Sequence, residues 1–263
     1  RSFLRKTNHM LQTFHLSATP FLNLLKECDA VISGSAVLLP LLSATFTPGD
    51  LDVYVPEGMV STFIHKLKTI FGYKQATNKK GEPFIIYLDG DETIKRVSYY
   101  MKHRKLINIV VVRGENALTP IFSFHSTPVM NFISYYGIYC AYPGLTLQYR
   151  GIINNTNQED PNLKKRYRKL KARGFSLKLS LSRWPSYDGH SCMTSKVCPQ
   201  TVRSVYDQGS LFYPFPKIRL DKDHKLIYNG KDAVVWALDA GQRCANQNPV
   251  MRGFVHSIPV ITP

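Results

Sequence analysis

Apolar residues recur at helical spacing through the first thirty positions. After Pro20, residues Phe21, Leu24 and Leu25 fall on one side, and the pattern ends near Asp29. Ala30 to Ser33 reads as a short buried strand that stops at Gly34-Ser35. Val37, Leu38, Leu41 and Leu42 then predict a helix, which Pro40 kinks or shortens. Phe46 and the turn Thr47-Pro48-Gly49 lead into a second strand, Asp50 to Val55, with strict alternation. Asp50, Asp52 and Tyr54 face one way; Leu51, Val53 and Val55 face the other.

Further along, Ser61 to Phe71 is an amphipathic helix carrying Phe63, Leu67 and Ile70 on one side. Phe84 to Leu88 is an apolar strand ended by Asp89-Gly90. Ile94 to Met101 and Leu106 to Val112 form a hairpin around His103-Arg104-Lys105. Ser126-Thr127-Pro128 gives a hydroxyl cap followed by proline, which predicts a helix running to Tyr136 with Gly137 as its cap. Asn154 to Asp160 is a polar linker, and Pro161 to Arg173 a basic helix. Short strand-like pieces follow, with no internal repeat. The pattern predicts a mixed α/β (α+β) fold, a mixed β-sheet flanked by helices over residues 1–150. A smaller basic region over 151–263 completes the chain.

Composition narrows the function classes. At 263 residues and 44% hydrophobic, the chain can bury one large core or two modest ones. No apolar run reaches the length of a membrane span; the best, Ala30 to Leu42, is broken by Ser33, Gly34, Ser35 and Pro40. The sequence opens at Arg1 rather than Met, as a chain missing its natural first residues would, and carries no signal-peptide pattern. Thirty-four Lys and Arg against eighteen Asp and Glu leave +16. A surplus of that size attracts nucleic acid, nucleotide phosphates or acidic surfaces, unless it serves solubility alone. Cys28, Cys140, Cys192, Cys198 and Cys244 are an odd set without regular spacing, which points to a reducing compartment, cytoplasm or nucleus.

The chemistry concentrates near the first two strands. Two carboxylates at i and i+2 on a strand project from the same face, close enough to share divalent ions, and Asp50-Leu51-Asp52 has that spacing. A triphosphate needs backbone donors, which Gly34-Ser35 at a strand-to-helix turn supplies, with the positive end of a helix behind it. A Gly-Ser pair alone is often just a turn, and an Asp-x-Asp alone a solvated strand end. Their succession, buried strand, Gly-Ser, helix, turn and Asp-x-Asp, is more specific than either.

The stretches Val31-Ile-Ser-Gly-Ser-Ala36 and Gly49-Asp-Leu-Asp-Val-Tyr-Val55 resemble the signature of the DNA polymerase beta-like nucleotidyltransferase superfamily. Phe124 to Ser134, Lys171-Ala-Arg-Gly-Phe175 and Cys198-Pro-Gln-Thr-Val-Arg203 are further similar to a family of nucleotidyltransferase-like proteins from mushroom-forming fungi. The resemblance implies a nucleotidyltransferase fold and magnesium or manganese held by Asp50 and Asp52. It also implies a nucleoside triphosphate cradled at Gly34 and Ser35, but no particular acceptor. The superfamily places a third carboxylate on a later strand. Here Leu106 to Val112 stands in that place with Asn108 as its only polar residue. An amide oxygen carries no charge and accepts protons poorly. Asp89, Asp91 or Glu92 on the preceding turn is the alternative source of a third acid. Two readings stay open: a metal-dependent nucleotidyltransferase, or an inactive protein of that fold that binds nucleotide or nucleic acid.

Elsewhere, His190, Cys192, Cys198 and Cys244 are of zinc-ligand type, though Cys192 and Cys198 are not at a finger spacing, and isolated buried thiols are the alternative. The basic helix suits a phosphate backbone, a nuclear-import signal or simple solvation, with Tyr167 and Leu170 its narrow apolar side. His125, Trp184 and Trp236 read as structural.

Overall fold

The computed structural model describes residues 2–42, 46–154, 162–179, 181, 184–187, 190–192, 194–216, 232–239 and 253–259. It divides into two compact units. One comprises Arg1–Pro120, Asn131–Tyr139 and Phe212–Lys231; the other comprises Ile121–Met130, Cys140–Leu211 and Asp232–Pro263. Among the described residues, no helix is long and apolar enough to cross a membrane.

The chain opens with helices α1 (Ser2–Thr13) and α2 (Ala18–Glu27), then strand β1 (Val31–Ser33). A 3-10 turn over Gly34–Val37 runs into the short helix α3 (Leu38–Leu42). Strand β2 (Asp50–Pro56) and helix α4 (Val60–Thr69) follow, then β3 (Lys74–Gln75), β4 (Ile85–Tyr87), β5 (Ile94–Lys102) and β6 (Lys105–Val112). After them come β7 (Asn131–Ile133), β8 (Gly137–Cys140), α5 (Pro143–Thr146) and β9 (Arg150–Ile152). The chain continues with α6 (Leu163–Ala172), β10 (Ser176–Lys178), β11 (Arg203–Ser204), β12 (Leu211–Pro214), β13 (Asp232–Ala237) and β14 (Phe254–Pro259).

The architecture is mixed α/β: a mostly antiparallel sheet in the order β12-β8-β7-β1-β2-β6-β5-β3, with β4 also on β5, flanked by helices. Its central pair, β2 and β6, is parallel, with Asp52 opposite Asn108. Alternation sets what each face does. Leu51, Val53 and Val55 of β2 and Ile107, Ile109 and Val111 of β6 are fully buried on one face. Phe21 of α2 meets Phe63 of α4 edge-on, with ring centroids 6.2 Å apart. Tyr73 donates its hydroxyl to the carbonyl of Phe14 at 2.6 Å, and burial pushes its phenol pKa up.

Several local expectations need correction. The segment from Ser126 to Tyr136 is not a helix. Thr127–Val129 makes one 3-10 turn, after which Asn131–Ile133 pairs antiparallel with β1. The cap signal is local and weak; the aromatic and β-branched run gains more by extending the sheet. Ser33 Oγ donates to Asn131 O at 2.6 Å, and Ser134 N donates to Gly137 O at 3.0 Å to close the turn. Gly137 serves a different purpose from a helix cap: a Cβ there would lie 2.1 Å from the carbonyl oxygen of Tyr213.

The segment after Gly34 is likewise less helical than its apolar spacing suggests, because Pro40 and a 3-10 start leave only five α-helical residues. No long helix dipole therefore stands behind Gly34-Ser35. Ile70 is 60% exposed because α4 ends at Thr69, before the apolar stripe is complete. The apolar strand around Ile86 and Tyr87 lies exposed, with both side chains open to solvent. The turn between β5 and β6 holds two residues, His103 and Arg104, both at positive φ, while Lys105 already belongs to β6.

The second unit is built around one arginine. Arg203, 1% exposed, donates from Nε to Asp207 Oδ2 at 2.5 Å and from a terminal nitrogen to Asp207 Oδ1 at 2.9 Å. It also reaches the carbonyls of Ala141 and Lys196 and the hydroxyl of Ser210. The guanidinium carbon lies 4.8 Å from the ring centroid of Tyr142 and 5.4 Å from that of Trp236. Trp184 and Trp236 are both buried. In α6 the basic side chains Lys164, Lys165, Arg166, Arg168, Lys169 and Lys171 are exposed, and Leu170 is buried. Tyr167 packs edge-on to His125, centroids 5.4 Å apart.

Candidate functional site

The strand register places the site. Ser33 of β1 lies opposite Asp52 of β2, Asp52 opposite Asn108 of β6, and Asn108 opposite Tyr99 of β5. Residues directly opposite in a sheet share a face, so these four form a row across it. Asp50, two residues before Asp52, lies on the same face next to that row.

The side chains converge. Asn108 Nδ2 donates to Asp52 Oδ1 at 2.8 Å and approaches Asp50 Oδ2 at 3.4 Å. Both aspartates are half-buried, whereas Asn108 is only 8% exposed. The other atom of that amide, Oδ1, is buried and has no hydrogen-bond partner among the described residues. Two half-buried carboxylates converging on one amide bring together oxygen ligands of the type a hard cation uses. Magnesium or manganese fits these residues by chemistry: Asp50 and Asp52 would hold it, with Asn108 supplying a neutral oxygen after its amide turns over.

Gly34 makes the arrangement possible. Its φ is +73°, and a Cβ added there would sit 2.4 Å from Asp52 Oδ2. The backbone of the Gly34 turn therefore abuts the Asp52 carboxylate with room for no side chain. Ser35, the next residue, is half-buried. Gly34→Ala is expected to cost about 1–3 kcal/mol in stability from the left-handed backbone, and to push Asp52 out of line. Thermal melting together with manganese binding checks this. Unchanged values of both would mean the turn adapts.

Tyr99 and Phe84 are members of the site that sequence reasoning missed. Their rings stack at 4.6 Å with planes 28° apart, and Tyr99 is the register partner of Asn108. Burial, and then the negative charges of Asp52 and Asp50, raise the phenol pKa of Tyr99. The signal lay in the hairpin: counting back from a two-residue turn pairs Tyr99 with Asn108. Asp91, considered as a third acid, does not reach this row. Its carboxylate accepts from the backbone of Thr93 and Ile94 at 2.8 Å each. Ile94 stands five residues along β5 from Tyr99, about 17 Å away.

Among the cysteines, burial pushes Cys28 and Cys140 up to about 12, so both remain protonated thiols. Cys192 and Cys198 instead meet His190, with their ligand atoms all within 4.8 Å of one another. Cys244 lies outside the described residues.

No protein-family model and no curated protein matches the chain. Among solved structures it is similar to a CCA-adding enzyme in an apo form, at 13% identity and a TM-score of 0.39. The similarity covers 66% of this chain and 45% of that one, so the chain spans less than half the length of that neighbour.

Proposed function

We propose that the chain transfers a nucleotidyl group from a nucleoside triphosphate, with magnesium or manganese, at Gly34, Ser35, Asp50, Asp52 and Asn108. The observation that carries this reading is the approach of both carboxylates to one amide nitrogen, with the Gly34 backbone against Asp52. A bound divalent ion supplies Lewis-acid stabilisation of charge on the phosphoryl oxygens. Asp50 and Asp52 hold that ion and orient it. Gly34 and Ser35 bring a backbone N–H and a hydroxyl to phosphate oxygens. The stacked Phe84 and Tyr99 offer an aromatic surface against which a base can lie. The net charge of +16 suits a polyanionic acceptor such as nucleic acid, and binding to it should weaken as salt rises. The resemblance of the Gly-Ser and Asp-x-Asp stretches to the nucleotidyltransferase signature supports the same assignment.

One observation favours a second reading, a silent binding protein on this architecture. Asn108 occupies the register position opposite Asp52 where a third carboxylate would accept the acceptor's proton. Its amide nitrogen instead donates to Asp52 and, at longer range, to Asp50. Transfer by the parent chain is therefore expected to be slow. Asn108→Asp, assayed for magnesium-dependent transfer beside the parent, is expected to gain at least about a hundredfold, the lower end of the range for a positioned general base. If the parent is already fast and the substitution slows it, Asn108 is not a degenerate acid.

A further inference from the structure

We propose that the second unit binds one zinc ion through His190, Cys192 and Cys198. Nine consecutive positions, 190 to 198, supply all three ligands. The Sγ of Cys192 and the Nε2 of His190 are 3.7 Å apart. Two ligands on one tetrahedral zinc, at about 2.3 Å for sulfur and about 2.0–2.1 Å for nitrogen, stand roughly 3.6 Å apart. The Cys198 sulfur lies within 4.8 Å of both, so a small inward movement completes three corners of the tetrahedron.

An independent feature orients the histidine. Its Nδ1 stands 2.9 Å from the carbonyl oxygen of Tyr187. A carbonyl only accepts, so Nδ1 carries the proton and the Nε2 lone pair faces the sulfurs. A backbone carbonyl on the far nitrogen is the usual partner of a zinc-bound histidine. The loop is also braced before any metal arrives. Thr201 Oγ1 donates to Ser195 O at 2.7 Å, Cys198 N to Ser195 O at 2.9 Å, and Arg203 to Lys196 O.

Cys198 is fully buried and Cys192 half-buried. Zinc replaces the two thiol protons, which leave to solvent, and the two thiolates and the neutral imidazole hold the ion; water fills the fourth position. A nitrogen and two sulfurs select zinc over magnesium, so this site and the carboxylate site take different metals.

Metal analysis of the full chain, purified without added zinc or chelator, tests the proposal. About one zinc per chain is expected, falling to near zero in Cys192→Ser and in Cys198→Ser. Should either variant fail to fold, cobalt(II) titration of the parent decides instead. A thiolate-to-cobalt charge-transfer band with tetrahedral ligand-field bands is the expected spectrum. A parent without zinc and without that band would overturn the site, as would full zinc in both serine variants.

Discussion

Replacing Asp52 with asparagine should leave the protein as stable as before, or more so, while removing its divalent-ion chemistry. The substitution keeps the shape of the side chain and an acceptor oxygen for Asn108 Nδ2, which now donates to Asp52 Oδ1 at 2.8 Å. It also takes away one of two negative charges that share that amide, so repulsion in the folded state falls. Metal binding loses a charged ligand at the same time. The expected loss in magnesium-dependent turnover is about a thousandfold, ~4 kcal/mol at ~1.4 kcal/mol per decade. Melting temperature and turnover measured on one preparation separate the two effects. A parallel fall in stability and activity would make Asp52 a folding residue instead. Sites that hold strain or repulsion for function show this opposition of stability and activity.

The largest loss of stability should follow Arg203→Met. Asp207 would then keep a partly buried carboxylate with its main partner gone, and the carbonyls of Ala141 and Lys196 would lose donors. Breaking a buried pair in this way costs about 3–5 kcal/mol. Arg203→Lys should rescue little, because an ammonium cannot span both Asp207 oxygens while lying beside the rings of Tyr142 and Trp236.

The pair also predicts a pH dependence. Burial raises the Asp207 pKa, but the hydrogen bonds and charge of Arg203, with the amides of Ser204 and Gly209, outweigh it and hold the carboxyl below its ordinary value. A depressed folded pKa gives stability that is present above the unfolded value, about 3.9, and is lost as pH falls through the folded one. Urea unfolding at neutral and acid pH should show the parent losing this contribution below about pH 4. Arg203→Met should lack it. A variant as stable as the parent at neutral pH would remove Arg203 from the centre of its unit.

The elements around the carboxylates were legible because alternation and turn residues agree there. Asp50 to Val55 is flanked by a turn and a proline, and its period of two places both acids on one face without knowledge of the fold. Asn108 was legible for a related reason, as the lone polar residue on its face of an apolar strand. Tyr99 was not, since its place depends on pairing between strands. The sequence reading ended the strands at Met101 and Leu106 around His103-Arg104-Lys105 without assigning cross-strand partners, and the pairing itself brings Tyr99 opposite Asn108.

The stretch from Ser126 to Tyr136 misled for the opposite reason. A good local cap and a downstream glycine describe a helix, but Ile32 of β1 offered Ile133 a sheet edge. The choice between them is tertiary. Gly137 read as a helix cap in the sequence, whereas in the structure the closeness of the Tyr213 carbonyl is what leaves no room for a side chain there. Cys192 and Cys198 lacked a recognised spacing, and the backbone hydrogen bonds of Ser195 to Ser191 and of Cys198 to Ser195 go with sulfurs that meet at His190.

The central claim is that Asp50 and Asp52 serve triphosphate chemistry. Incubating the parent and Asp52→Asn with each nucleoside triphosphate and magnesium, while following pyrophosphate release, tests it most directly. The account predicts slow release by the parent with at least one nucleotide, dependent on magnesium and absent from the variant. Release that persists undiminished in Asp52→Asn, or a parent that releases none even as Asn108→Asp, would contradict it.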